Sequence, residues 1–195
     1  MGLEVRPVGS HLVRQRCRPR RRRRAQAISL AEYVGRQFDP GLSWDDVAWF
    51  RERWNGPIVL KGIQTVADAV IAVDNGVEAI ALSNHGGRQL DSAPAPLDLV
   101  PRVADAVGGR VEIICDGGVR RGSDVVKAVA LGADACMVGR AYLYGLGAAG
   151  EAGVDHVMQL LASDMKRTMA LIGCRRVADL DGDLVVRRGG ASGQG

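Results

Sequence analysis

The stretch SNHGGRQLD, residues 83–91, places a histidine and an arginine three positions apart on a segment that also holds two glycines. It directly follows an apolar run, so it belongs at the end of a buried strand. His85 there can accept a proton near neutral pH, and Arg88 can hold a carboxylate through two parallel hydrogen bonds. The plainer alternative is a loop histidine satisfied by backbone groups beside a solvated arginine.

A second stretch, DGGVRRG at residues 116–122, places two glycines between a strand and a helix. Backbone N–H groups can approach an anion closely there, and the helix dipole adds a favourable potential. Arg120 or Arg121 could add a guanidinium contact. An ordinary βα turn explains the glycines alone, but Gly139 and Arg140 after the next strand favour the anion site.

Lys61 ends another short apolar run, PIVLKG. It is either a charge at the mouth of a barrel or a cation that stabilises negative charge on a bound group. A Schiff-base role is known for such lysines, but it leaves His85 and Arg88 unexplained.

Short apolar runs and longer amphipathic segments alternate along the chain and place these residues at the ends of predicted strands. A predicted helix in SWDDVAWFRERW precedes them. The alternation predicts four strand–helix units. The predicted strands are 57–62, 78–83, 111–118 and 134–139, and the predicted helices are 65–76, 96–109, 122–133, 140–150 and 153–173.

Near-continuous apolar strands that alternate with helices predict an α/β fold with a parallel sheet. No GxGxxG follows the first strand, as a doubly wound dinucleotide-binding sheet would require. Anion-binding loops after the last two strands favour a TIM (β/α)₈ barrel, which typically needs about 250 residues. We therefore predict a C-terminal half-barrel of four βα units with two unpaired edges.

Positive charge is concentrated at the amino end of the 195-residue chain. Residues 1–25 hold nine of the 26 basic residues and one of the 22 acidic ones, so the remainder is net acidic. We predict a basic, disordered extension over 1–29, a domain over 30–186 and a flexible tail over 187–195. No aromatic residues interleave the arginines, which disfavours specific nucleic-acid binding, and no apolar run is long enough to span a membrane.

The four cysteines are far apart and form no CxxC pair, so we expect neither a metal site nor a disulfide framework. Cys115 and Cys136 lie in apolar runs and are expected to act as small buried hydrophobes. A cytoplasmic location, or one peripheral to a membrane, fits this usage best.

Four consecutive motifs, VLKGI, LSNHGGRQLD, DGGVRRGSDVVKAVALGA and VGRAYLYGL, resemble those of the FMN-dependent α-hydroxy acid dehydrogenases. This family includes glycolate oxidase and L-lactate dehydrogenases. Residues 30–185 of this chain resemble the C-terminal half of the family's barrel. Other FMN-binding or phosphate-binding barrels, such as isopentenyl diphosphate isomerase, lack the HGGRQLD arrangement.

The resemblance implies roles for individual residues around FMN and a 2-hydroxy acid substrate. His85 resembles the catalytic base, Arg88 the arginine that binds the substrate carboxylate, Lys61 the lysine beside the flavin ring, and Ser83 a serine that contacts the flavin. The phosphate and ribityl group would be bound by Asp116, Gly117, Gly118, Arg120, Gly139 and Arg140.

The implied activity is oxidation of an L-2-hydroxy acid, L-lactate first among them, with electrons passed to an unidentified acceptor, and we expect a homo-oligomer. The family's first four βα units, which supply a second substrate-binding arginine and substrate-contacting tyrosines, have no counterpart here. The alternative is a non-catalytic half-barrel that binds phosphate or FMN or associates with a partner.

Overall fold

The structure, a computed structural model, describes Tyr33 and residues 41–186. The predicted extension 1–29 and tail 187–195 lie outside the described residues. The chain divides into two compact units, Met1–Leu42 and Ser43–Gly195. Residues 43–186 of the second unit form α1 (Asp45–Arg53), β1 (Val59–Ile63), α2 (Val66–Asp74), β2 (Ala79–Ser83), α3 (Pro96–Val107), β3 (Glu112–Asp116), α4 (Gly122–Ala130), β4 (Ala135–Met137) and α5 (Arg140–Leu171), with single 3₁₀ turns at His85–Gly87, Val177–Asp179 and Gly182–Leu184.

The four strands form one parallel sheet in the order β1-β2-β3-β4. Each strand lies beside the next one in sequence, as in a (β/α)₈ barrel, whereas a doubly wound sheet reverses its order at a switch point. Within the described part of the chain, β1 and β4 each pair on one side only. The predicted α/β fold of four βα units is confirmed.

The core lies between the sheet and its helices. Every residue of β2 is buried, and Ile80 and Leu82 share one apolar cluster with the inward side of α3, namely Leu99, Val100, Val103 and Val107. Because successive strand residues point to opposite faces, Ser83 lies on the face of β2 away from that cluster. The helices thus hold the sheet from one side and leave the other side for polar groups.

Helix α5 consists of two helical segments that meet at a kink. Ala149 and Gly150 have non-helical backbone angles, close to the gap between the two helices predicted over 140–150 and 153–173. Gly145 and Gly153 contact each other across this kink. Although α5 has 32 residues, no described helix is both long and apolar enough to cross a membrane.

Gly122 begins α4 at the point where the α5 backbone passes closest. A β-carbon added at Gly122 would overlap the backbone of Leu161 and Met165. The packing of α4 on α5, and with it the placement of the DGGVRRG turn just before α4, therefore depends on a residue without a side chain.

Replacing Gly122 with alanine should lower the free energy of unfolding by about 1–3 kcal/mol, because an overpacked contact forces backbone shifts. Gly147 is the matched control, since it lies in α5 with open space around the position of a β-carbon. Gly147→Ala should instead raise stability by roughly 0.5–1 kcal/mol, as expected for glycine in a helix interior. Urea unfolding measures the free energy of unfolding of both variants. Equal changes in the two variants would show that Gly122 is not required for close packing of α4 on α5.

Candidate functional site

The predicted site residues on β1, β2 and β3 meet at the carboxyl edge of the sheet. Lys61 lies in β1 beside Ala81 of β2, and Ser83, the last residue of β2, pairs with Asp116, the last residue of β3. Parallel pairing brings these strand ends to one edge, although the three residues are far apart in sequence.

Ser83 connects these strands through a single hydroxyl group. Its Oγ accepts a hydrogen bond from Lys61 Nζ at 3.0 Å and donates one to Asp116 Oδ2 at 2.6 Å. Lys61 Nζ also lies 2.8 Å from Asp116 Oδ2. Ser83 is fully buried, whereas 37% of the Lys61 side chain is exposed. Ser83 and Asp116 therefore hold the ammonium group, while part of the Lys61 side chain stays exposed to solvent.

The Asp116 carboxylate stays ionised because of these contacts. Burial acts to raise the pKa of Asp116, but hydrogen bonds from Lys61 and Ser83 outweigh burial and hold the pKa below its usual value. The network therefore places an ionised Asp116 carboxylate 2.8 Å from the Lys61 ammonium group.

His85 and Arg88 occupy the turn that follows β2. The backbone N–H of His85 donates to Ser83 Oγ at 3.1 Å, and both side chains are exposed. His85 has a positive φ of 54°, which is uncommon for a residue other than glycine. Ser83 thus links the turn to the lysine and the carboxylate.

Asn84 is a residue that the sequence analysis missed. Its Oδ1 accepts a hydrogen bond from the N–H of Gly86 at 3.0 Å, and its Nδ2 donates to the carbonyl of Pro94 at 3.3 Å. Asparagine commonly bonds its own backbone two residues on, so its position before a histidine and two glycines was an available signal.

A cavity of about 520 Å³ brings together part of the predicted phosphate segment. Gly86, Gly117, Gly118 and Arg140 line it. Gly117 has φ 130° and Gly118 φ 75°, and a β-carbon on Gly118 would meet no atom within 4 Å. This open glycine turn facing an arginine fits a phosphate group.

Three residues that were predicted to bind the phosphate and ribityl group, Asp116, Arg120 and Gly139, do not line this cavity. Arg120 lines a second cavity, of about 460 Å³, together with Arg121 and Arg167. Its backbone N–H donates to Asp124 Oδ2 at 3.0 Å. Gly139 precedes the first residue of α5 and does not line either cavity. Their roles toward a phosphate group stay predictions.

The two strand cysteines are not nucleophiles. Cys115 and Cys136 pair in register on β3 and β4. Burial raises the pKa of Cys115 to about 12, with added repulsion from Cys136 and Asp116, and burial with Asp124 raises that of Cys136 to about 11. Both thiols remain protonated at neutral pH. No cluster of three or more potential metal ligands occurs in the described residues.

Fold and site together define a class of protein, a parallel α/β barrel segment with a cation, a histidine and an anion-binding glycine turn at its strand ends. A family model described as FMN-dependent dehydrogenase matches residues 2–187. The chain belongs to this FMN-dependent family. The match includes residues 2–29, which were predicted from sequence to form an extension. The predicted boundary between extension and domain at residues 29 and 30 stays a prediction.

Among curated proteins, the chain is 51% identical over 156 residues to 2-hydroxyacid oxidase 1 of Mus musculus, covering 80% of the chain and 42% of that protein. It is 47% identical over 166 residues to an L-lactate dehydrogenase of Chromohalobacter salexigens, covering 84% and 42%. The chain thus spans about two fifths of the length of these relatives.

Solved structures agree with the family assignment. The structure superimposes on (S)-mandelate dehydrogenase, described as a monotopic membrane protein, with a TM-score of 0.74 and 43% sequence identity. The match covers 78% of the chain and 40% of that protein. The neighbour is therefore also larger, and the matched region is a partial barrel.

Replacing Lys61 with methionine should raise the pKa of Asp116, because burial then acts with less opposition. In the wild-type protein, the stability that Asp116 contributes is present above its unfolded-state pKa of about 4 and is lost as pH falls through its lower folded-state pKa. The stability difference between wild type and Lys61→Met should therefore be largest near neutral pH and shrink in acid.

Carboxyl-carbon NMR titration and urea unfolding across pH measure the two effects. Lys127→Met on the exposed side of α4 removes the same charge at a distance and should leave the Asp116 titration unchanged. Identical titration of Asp116 in wild type and Lys61→Met would show that Lys61 does not lower the pKa of Asp116.

Proposed function

We propose that the protein containing this chain oxidises an L-2-hydroxy acid to the 2-oxo acid with FMN, and that L-lactate is its substrate. The observation that carries the proposal is the Ser83-centred network, which holds the partly exposed Lys61 beside the turn that contains His85. The names of the relatives, L-lactate dehydrogenase and 2-hydroxyacid oxidase, support this substrate class.

The described residues fit FMN at two places. Gly117, Gly118 and Arg140 line the cavity that suits the phosphate, and the Lys61 ammonium suits a ring that gains negative charge on reduction. Arg120, Asp116 and Gly139 are further proposed contacts of the phosphate and ribityl chain. When bound, FMN accepts two electrons and a proton from the substrate.

The chain's own residues bind the substrate and move the second proton. Arg88 holds the substrate carboxylate through its guanidinium group, which matches the two carboxylate oxygens. His85 accepts the other of the two protons that the hydroxy acid releases as its α-carbon is oxidised. Lys61 stabilises the negative charge that develops beside it, and Asp116 holds the lysine side chain in place through their ion pair.

We also propose the remaining properties of the whole protein, of whose relatives this chain spans about two fifths. The rest of the barrel supplies the other wall of the flavin site and further substrate contacts. The electrons pass on to an acceptor that is not identified. The protein forms a homo-oligomer and is cytoplasmic or peripheral to a membrane.

Adding FMN to the purified chain tests the cofactor assignment, and adding L-lactate to the complete protein without oxygen tests the reaction. FMN should bind saturably, with a change in flavin fluorescence, and L-lactate should bleach the flavin absorbance. His85→Gln should retain bound FMN and reduce it about 10²–10⁴-fold more slowly, the usual contribution of a general base. Unchanged reduction would remove His85 as the base, absence of FMN binding would refute the cofactor assignment, and bound FMN that L-lactate does not reduce would favour the non-catalytic alternative.

Replacing Arg88 with lysine should raise the KM for L-lactate about 10–100-fold, because an ammonium group cannot reproduce the two-pronged hydrogen bond. The affinity for FMN should change little. Arg102→Lys on the exposed side of α3 is the control and should alter neither value. If Arg88→Lys weakened the binding of L-lactate and of FMN equally, Arg88 would have a structural role and would not be the substrate-binding residue.

A further inference from the structure

Gly62 is an extra residue in β1. Lys61 pairs with Ala81 and Ile63 with Leu82, so two steps on β1 match one step on β2 and the register shifts at Gly62. Gly62 has φ 107°, which residues with a side chain rarely adopt. Such bulges bend a strand and redirect its neighbours, and this bulge lies directly after Lys61 and before Ile63, the last residue of β1.

The imidazole of His85 occupies the space where a side chain at position 62 would lie. A β-carbon on Gly62 would be 2.9 Å from His85 Cε1, 3.6 Å from Nε2 and 3.9 Å from Nδ1. The ring therefore lies directly against the bulged backbone of β1. Glycine in a strand is often required where another group approaches the backbone closely.

The backbone of His85 is held from the opposite side by the turn. Its N–H donates to Ser83 Oγ at 3.1 Å, and Asn84 Oδ1 accepts from the N–H of Gly86 at 3.0 Å. The N–H of Gly87 also donates to the carbonyl of Asn84 at 3.0 Å. A left-handed histidine backbone costs energy and persists only where its surroundings determine it.

We infer that Gly62 is a positioning residue for His85. The imidazole packs against the backbone of the β1 bulge, and the hydrogen bonds of the turn after β2 fix the backbone that carries the ring. The inference rests on the proposed role of His85 as the base. It adds that the base is oriented by contact with the strand that carries Lys61. Any side chain at position 62 would displace the ring from that orientation.

The full chain tests this inference by NMR without added FMN. The wild-type protein should show a nuclear Overhauser effect between His85 Hε1 and the Gly62 α-protons. Gly62→Ala should shift the Hε1 resonance of His85, whereas Gly132→Ala should not. Gly132 is the matched control, because it also has φ 107° and its added β-carbon would lie 2.8 Å from Ala104 Cβ.

A double-mutant cycle separates the contact with His85 from backbone strain. Gly62→Ala should lower the urea midpoint, and part of that loss should disappear when His85 is also replaced by alanine. The loss caused by Gly132→Ala should be the same with either residue at position 85. In the complete protein loaded with FMN, Gly62→Ala should lower kcat for L-lactate at least tenfold and change KM less than threefold. A base that is misplaced by about 1 Å predicts a loss of this kind.

The inference is overturned if the wild-type Overhauser effect is absent, or if removing His85 leaves the cost of Gly62→Ala unchanged. A protein that does not bind FMN or oxidise L-lactate would refute the proposed function and leave the NMR and unfolding results valid. The two failures are therefore distinguishable.

Discussion

The hydroxyl group of Ser83 is the point on which the rest of the site depends. It accepts hydrogen bonds from Lys61 and from the backbone of His85 and donates to Asp116. A buried hydroxyl has one donor and two acceptor positions, and all of them are used here. One atom thus fixes the relative positions of a cation, an anion and the first residue of the turn after β2.

This constraint explains why the site combines rigid and open parts. The network lies on the face of the sheet away from the helices, and Ser83 is buried, whereas Lys61 and His85 are exposed residues. Positioned charges stabilise a developing charge best when they need not reorganise. The helices supply that rigidity through the apolar cluster under β2.

The four βα units and the family were predictable from sequence, because apolar periodicity and short motifs are local properties. The exact strand ends were not, since β1 continues past Lys61 to Ile63. The placement of Arg120 was less predictable. Arg120 and Arg140 look equivalent as arginines within two residues of a glycine, yet Arg140 lines the cavity beside Gly118 and Arg120 lines another with Arg167. Which way a side chain points after a turn depends on the helices around it, here α4 and α5.

The sequence by itself determined which polar residues lie near the strand ends and which chemical groups they carry, since those follow from local pattern and residue type. Only the tertiary structure decided which of these groups touch. Lys61 and Ser83 are 22 positions apart and Ser83 and Asp116 are 33 apart, so they meet only when the parallel strands pair in register. The bulge at Gly62 likewise has meaning only once β2 lies beside β1 and brings the ring of His85 against it.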